Sequence, residues 1–333
     1  MILKYSKSYS SIFKIKKDFY SENKKNYLNI IKINKKYIKQ PLRKNCKICS
    51  NILKKKLFTQ HLIDYTICVK CGHLNGLNQD TKNFTDWLYS QDKGKNYSSG
   101  YTKDFKKRVQ EIYIPKANFL KKVVKQNINL IDLGSGGGHF LRALELKNIQ
   151  AVGFETNQTL IKIAKKNLKS NKILELNKND LRKTLNNKKY NVLSMIAVLE
   201  HLNDPHEIMK MFMSSKIKFL YISIPLFSLS AMVENVFKNI FPRHLGGAHT
   251  HLFTNKSINF FKKKYKLKSV GEWWFGTDIA DLFRSLQNSS YYHDEKAYFN
   301  YFNKYFFSTL DELQNVLDKK KICSEVHLVL KKI

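Results

Sequence analysis

Apolar positions change period several times along this chain, and the changes predict its elements. Residues 128–133 form a short apolar run that ends in glycines, which predicts a strand. Residues 140–146 read as helix and 150–154 as a strand ending at Glu155. An amphipathic helix over 159–168, a strand over 172–176 and an apolar strand over 190–198 follow. Asp204-Pro205 opens the next helix, with Asp as N-cap and Pro at the first helical position. Residues 218–224 make a further strand closed by Pro225. Beyond it the pattern predicts helix over 257–265, strand over 266–274, aromatic-rich helix over 278–321 and a final strand over 324–330. Repeated strand–helix units predict an α/β fold with a parallel sheet and helices on both faces.

The N-terminal part patterns differently. Residues 1–45 are rich in Lys, Ile, Asn and Tyr, with only Asp18 and Glu22 as acids and no clean period. They read as a basic, solvated, partly helical arm, or as an anion-binding arm. Residues 46–76 hold two cysteine pairs, and 77–127 read as a polar helical connector that would contribute to the cover of any site in the following domain. That connector carries an aromatic cluster (Trp87, Tyr89, Tyr97, Tyr101) interrupted by Gly94 and Gly100. The main domain is then 128–333, with an aromatic helical insertion at about 276–321. The aromatics from 291 to 307 read as core or dimer contact, with base stacking as the alternative.

Composition narrows the partners. The 333 residues carry a net charge of +34, which invites a nucleic-acid partner. Yet only six of the 60 basic residues are arginine, the side chain whose planar fork suits phosphate best. Lys, Ile and Asn share A/T-rich codons, so a biased genome and a polyanionic partner both account for the charge. The longest uncharged run, 219–233, is about 15 residues, while a membrane span needs roughly 20. No span and no signal peptide are predicted, and a cytoplasmic location is the expectation.

Cys46-x2-Cys49 and Cys68-x2-Cys71 are separated by 18 residues, with Cys323 apart. This is the spacing of a zinc ribbon, and four thiolates leave no open position, so Cys46, Cys49, Cys68 and Cys71 are expected to hold a structural Zn2+.

The chemistry begins at Ile131-Asp132-Leu133-Gly134-Ser135-Gly136-Gly137-Gly138. Glycines between a strand and a helix let the backbone turn sharply and approach a ligand, whose polar groups then face loop amides and the helix N-terminus. A dinucleotide loop of the form G-x-G-x-x-G would place its third glycine at His139. The spacing G-x-G-x-G after Asp132 instead resembles class I S-adenosylmethionine (SAM)-dependent methyltransferases. Glu155 at the end of the second strand, Asp180 after the third, and Val198-Leu199-Glu200-His201-Leu202-Asn203-Asp204-Pro205 after the fourth extend that resemblance over about 128–275 plus the last strand.

The resemblance implies a Rossmann-like seven-stranded methyltransferase sheet with its last strand antiparallel, beside a small N-terminal zinc ribbon. It implies SAM as cofactor, lying across the carboxyl ends of the first strands. Gly134, Ser135, Gly136 and Gly138 would line its methionine part, Glu155 would hold the ribose, and Asp180 with Leu181 would flank the adenine. A cysteine ribbon ahead of such a domain is similar to bacterial methyltransferases of surface sugars and secondary metabolites, and also to some ribosomal-RNA methyltransferases.

His249-x-His251-x-Phe253 resembles the H-x-H-x-aromatic stretch of sugar C-methyltransferases, with Ala248 where those have tyrosine. The resemblance makes His249, His251 and the cofactor-adjacent His201 the catalytic candidates, as bases for carbon or oxygen methylation. The fourth strand lacks the Asn/Asp-Pro-Pro-aromatic tetrad of many amino-group methylating enzymes. The expected acceptor is a sugar, nucleotide-sugar or other small-molecule precursor. The alternatives are an RNA methyltransferase that binds through its ribbon and basic surface, and a non-catalytic zinc-ribbon binding protein.

Overall fold

The computed structural model describes residues 1–9, 22–90, 104–292 and 296–333. Tyr97, Tyr101, Gly94, Gly100 and Asp18 lie outside the described residues. The strands in chain order are β1 (Ile2–Tyr5), β2 (Phe58–Gln60), β3 (Ile63–Ile67), β4 (Leu74–Gly76), β5 (Asn129–Leu133), β6 (Gln150–Glu155), β7 (Lys172–Glu175), β8 (Val192–Ile196), β9 (Phe219–Pro225), β10 (His251–Leu252), β11 (Leu267–Phe275) and β12 (Glu325–Lys332).

Eight of them form one sheet in the order β1-β11-β12-β9-β8-β5-β6-β7. β12 alone is antiparallel, to both β9 and β11. The α/β fold predicted from the pattern and the Rossmann-like sheet implied by the resemblance are therefore present, with eight strands where seven were expected. The near-continuous apolar composition of β5, β8 and β9 follows from burial on both faces. Chain order reverses where β5 pairs with both β6 and β8, so a crevice opens beyond the carboxyl ends of these strands. The helix Pro205–Ser214 begins as its sequence predicts, with the Asp204 side chain accepting from the His206 amide.

Of the first 45 residues, the described stretches 1–9 and 22–45 are partly helical as expected but are tied to the rest of the chain. β1 adds an eighth, edge strand parallel to β11, with Ile2–Tyr5 opposite Gly271–Trp274. The Trp273 indole donates to the Ser6 carbonyl at 3.0 Å, and the Lys4 ammonium sits over the Trp273 ring. The helix Asn23–Tyr37 buries Tyr37 and Asn34 completely. Four residues of strand carry too short an alternation to stand out, and their partners lie some 270 positions away.

The cysteine pairs sit in a second, four-stranded sheet of order β10-β4-β3-β2. Its fourth strand comes from the main domain, with His251 opposite Asn75 and Leu252 opposite Leu74. Thr254 Oγ1 also donates to the Gly72 carbonyl, and Gly76 N–H to the Thr250 carbonyl. Cys46, Ile48, Cys68 and Cys71 share one apolar cluster with Phe253, Phe261 and Tyr265, so the module is packed onto the domain.

Between β11 and β12 the chain runs through the helices Asp278–Tyr292, Lys296–Phe306 and Leu310–Lys319. Phe306 stacks on Phe283, whereas Tyr298, Tyr301 and Tyr305 are exposed. Among the described residues no helix is long and apolar enough to cross a membrane.

Candidate active site

The glycine loop follows β5 and is folded back on β6: the amides of Gly134 and Ser135 both donate to the Phe154 carbonyl. Gly134, Gly136 and Gly138 have φ of 72°, 53° and 79°, in the left-handed region that glycine enters without strain. At Gly134 a Cβ would also lie 2.5 Å from Val198 Cγ2. Gly138 N-caps the helix His139–Glu145, and a Cβ there would meet Ala164 at 2.8 Å. Gly138 therefore serves helix packing and does not line the crevice.

That crevice holds about 240 Å³ and is lined by Asp132, Gly134, Ser135, Gly136 and Glu155, together with Tyr89, Tyr113, Lys116, Phe140, Thr156, Asn157, Ile196, Ala197, Val198, His201 and Leu202. It shares Tyr89, Thr156, Asn157, His201 and Leu202 with a wider outer cleft of about 630 Å³ that adds Thr85, Asp204 and Glu207.

Glu155 pins the loop to the end of β6. One carboxylate oxygen accepts from the Gly136 amide at 2.8 Å, and the other from the amides of Thr156 and Asn157 at 2.8 and 3.0 Å. Charge-assisted bonds of this length hold loop geometry firmly. Beneath the loop Asp132 is 2 % exposed and accepts from Ser194 Oγ at 2.6 Å. Burial pushes its carboxyl up to about 7, against the opposing pull of the Ser194 and Ser135 hydroxyls.

Two residues expected at the cofactor stand elsewhere. Asp180 is exposed on the helix Lys178–Leu185, its amide taken by the Asn177 cap, and Leu181 is buried in the core beside Leu185. Neither lines the crevice. Thr156 and Asn157 line it directly after Glu155.

The three histidines divide. His201 lines the crevice from the 3-10 turn Leu199–His201 after β8. His249 stacks on it, with ring centroids 4.9 Å apart. His251 lies in β10, 1 % exposed, its Nδ1 hydrogen-bonded to His73 Nε2 at 2.9 Å, and does not line the crevice. Burial pushes His201 down to about 3 and His249 down to about 4, so both rings are neutral near pH 7. Glu200, 2 % exposed, is pushed up to about 8 by the same cause.

The segment carrying His249 is clamped from behind. Glu234 accepts the amides of Arg243, His244 and Leu245, and Asp281 takes the Arg243 guanidinium at 2.7 Å and His244 Nε2 at 3.0 Å.

Several lining residues were not singled out from the sequence. Lys116 and Tyr113 come from helix N-terminal to β5, where no motif marks them; a π-helical turn, Val109–Tyr113, sets their position. Ala197 takes φ 55° just past β8, a strained conformation for a non-glycine residue, with its amide held by Ser223 Oγ at 2.9 Å. Gly153 in β6 gives the loop its room: a Cβ would stand 2.3 Å from Ser135 Oγ.

The four cysteine sulfurs lie within 4.8 Å of one another, with Cys46 Sγ 3.5 Å from Cys71 Sγ and Cys49 Sγ 3.4 Å from Cys68 Sγ. The Asn75 side-chain amide donates to Cys46 Sγ at 3.6 Å, as an N–H does to a thiolate. This donor set fits a tetrahedral soft-metal site.

Residues 105–265 match the family model described as a methyltransferase domain. No curated protein matches the chain. Among solved structures, the chain is similar to a SAM-dependent methyltransferase from Archaeoglobus fulgidus (16% identity, TM-score 0.41, covering 67% of this chain and 94% of that one). It is also similar to a magnesium protoporphyrin IX methyltransferase from Synechocystis with bound SAH (11%, 0.46, 76% and 100%). A cyclopropane synthase from Mycobacterium tuberculosis is a third likeness (12%, 0.42, 67% and 85%).

Proposed function

We propose that the chain, a methyltransferase whose domain spans residues 105–265, is a class I enzyme that moves a methyl group from SAM to carbon or oxygen of a sugar or other small-molecule precursor. The observation that carries the acceptor class is the site's shape: a crevice of about 240 Å³ beside the glycine loop, opening past His201 into an outer cleft of about 630 Å³. Spaces of this size suit a small ligand.

The residues fit the cofactor. Bound SAM supplies a methyl carbon on a positively charged sulfur. The loop Gly134–Gly136 would let the backbone reach the methionine part, with the buried Asp132 carboxyl group beneath it. The ammonium of Lys116, a residue only 7 % exposed, would meet the methionine carboxylate. Glu155 would take a ribose hydroxyl in place of the Thr156 hydroxyl it now holds at 3.3 Å. Phe140 and Ile196 give an apolar wall that excludes water. His201 is the histidine that the acceptor would meet, and His249 backs its ring. Cys46, Cys49, Cys68 and Cys71 would hold zinc in a structural role, fixing the module that supplies β4 to β10.

An RNA acceptor would call for a basic track leading to the loop. Among the described residues, one lysine-lined cleft, with Lys188, Lys189, Lys216 and Lys218, precedes β8 and β9 at the opposite end of the parallel strands, and a smaller basic cleft with Arg43 and Lys44 meets the outer cleft at Asn203. The deciding experiment is transfer of labelled methyl from SAM into extract fractions split into nucleic acid, protein and small molecules. The proposal predicts label among the small molecules; label in RNA alone would overturn it.

A further inference from the structure

Glu200 and His249 meet at His201, which lines the crevice and the outer cleft, in an arrangement that methyl transfer by itself does not require. Their ligand atoms lie within 4.8 Å of one another, and Glu200 Oε1 stands 4.0 Å from His201 Nε2. A buried carboxylate beside two imidazoles ordinarily pairs with one of them by a hydrogen bond. Here Glu200 Oε2 and His201 Nδ1 are both buried with no hydrogen-bond partner. Unpartnered buried polar atoms are costly, and a ligand bound by these two side chains would offset that cost.

The third member is oriented for that ligand. His249 Nδ1 faces the Arg243 carbonyl at 3.3 Å, which favours the proton on Nδ1 and leaves the Nε2 lone pair free. Metal-ligating histidines characteristically give their other ring N–H to a carbonyl or carboxylate in this way. The carbonyl is itself held, because the Arg243 amide is bound by Glu234 and its guanidinium by Asp281.

We propose that Glu200, His201 and His249 bind a first-row divalent cation, at a site separate from the four cysteines and open toward the crevice. Two imidazoles and one carboxylate suit manganese, iron, cobalt or zinc better than magnesium or calcium. Bonds of about 2.1 Å set three ligand atoms roughly 3.0–3.6 Å apart, so the group need close by about 1–2 Å. Three protein ligands leave positions for oxygen atoms of an acceptor, whose hydroxyl the cation would make more acidic. Only this last point rests on the methyl-transfer reading; the cation site does not.

The test uses the full chain with its cysteine site filled by zinc, titrated with Co2+ and followed in the visible. One further Co2+ per chain is expected, with d–d bands and no thiolate charge-transfer band. Glu200→Gln and His249→Ala should each weaken Co2+ binding at least about tenfold, while SAM binding, measured in parallel, shows that the cleft is folded. Absence of Co2+ binding beyond the thiolates, or affinity unchanged in both variants, overturns the site. Catechol shifting the d–d bands supports the open positions, and bands indifferent to catechol overturn them. If wild-type protein binds Co2+ but not SAM, the methyltransferase reading fails and the cation site stands.

Discussion

Replacing Asp132 by Asn should make the protein more stable at alkaline pH and leave it little changed in mild acid. Asp132 is buried beneath the glycine loop, and burial lifts its carboxyl from the ordinary 3.8 to about 7. In the unfolded chain it ionises near 3.8; in the folded chain it holds its proton to about 7. Between these values the folded state binds more protons, so stability falls as pH rises through the window and levels off above about 7. A shift of roughly three pH units at about 1.4 kcal/mol each sets an upper limit of about 4 kcal/mol. Relaxation of the site makes about 2–4 kcal/mol the working expectation. Asn keeps an oxygen for the Ser194 hydroxyl at 2.6 Å and carries no charge to desolvate. For a chain of this length that corresponds to roughly 3–6 °C in melting temperature. Melts of wild type and variant from pH 4.5 to 8.5, without cofactor, should give curves that converge at the acid end and separate with the variant higher by pH 8. A difference that is the same at every pH, or a variant less stable at pH 8, would refute the reasoning.

Gly153→Ala should lower SAM affinity by at least about tenfold and cost about 1–3 kcal/mol of stability, because its Cβ would fall 2.3 Å from Ser135 Oγ and 2.5 Å from Leu141 Cδ1; calorimetry and melts check both. Cys68→Ser should remove zinc from the four-cysteine group and destabilise the fold by roughly 2–5 kcal/mol, read by elemental analysis and melting; full zinc occupancy in the variant would count against the group as a metal site. Deleting residues 1–6 should bare the β11 edge and lose the Ser6 carbonyl bond to Trp273, giving a lower melting temperature and concentration-dependent light scattering.

The sequence made the main sheet legible because each of its units is continuous: an apolar strand, a turn and an amphipathic helix, as in β6 followed by Gln158–Asn167. The glycine loop and Glu155 were legible for the same reason, since motif and geometry lie within about twenty residues of each other. What escaped is held together across sequence. β1 pairs with residues 271–274, and β10 with the cysteine module, and neither strand is long enough to show a period. Lys116 and Tyr113 reach the crevice through a π-helical turn that leaves no mark on composition. Asp180 was placed at the cofactor from its position after β7, but the Asn177 cap turns the helix so that Leu181 faces the core and Asp180 faces solvent. The histidine pair was visible as H-x-H, yet adjacent positions on a strand point to opposite faces only one residue apart. His249 and His251 sit two apart, and only the tight turn joining Gly246 to His249 sends the first to His201 and the second to His73.

The account stands or falls on the crevice beside Gly134–Gly136 being the cofactor site. Calorimetric titration of the purified full chain with SAM tests this most directly, alongside Gly136→Asp, which sets a carboxylate into the loop at φ 53°. The account predicts one SAM bound per wild-type chain and binding lost in the variant. No heat with wild type, or equal binding by both proteins, would contradict it.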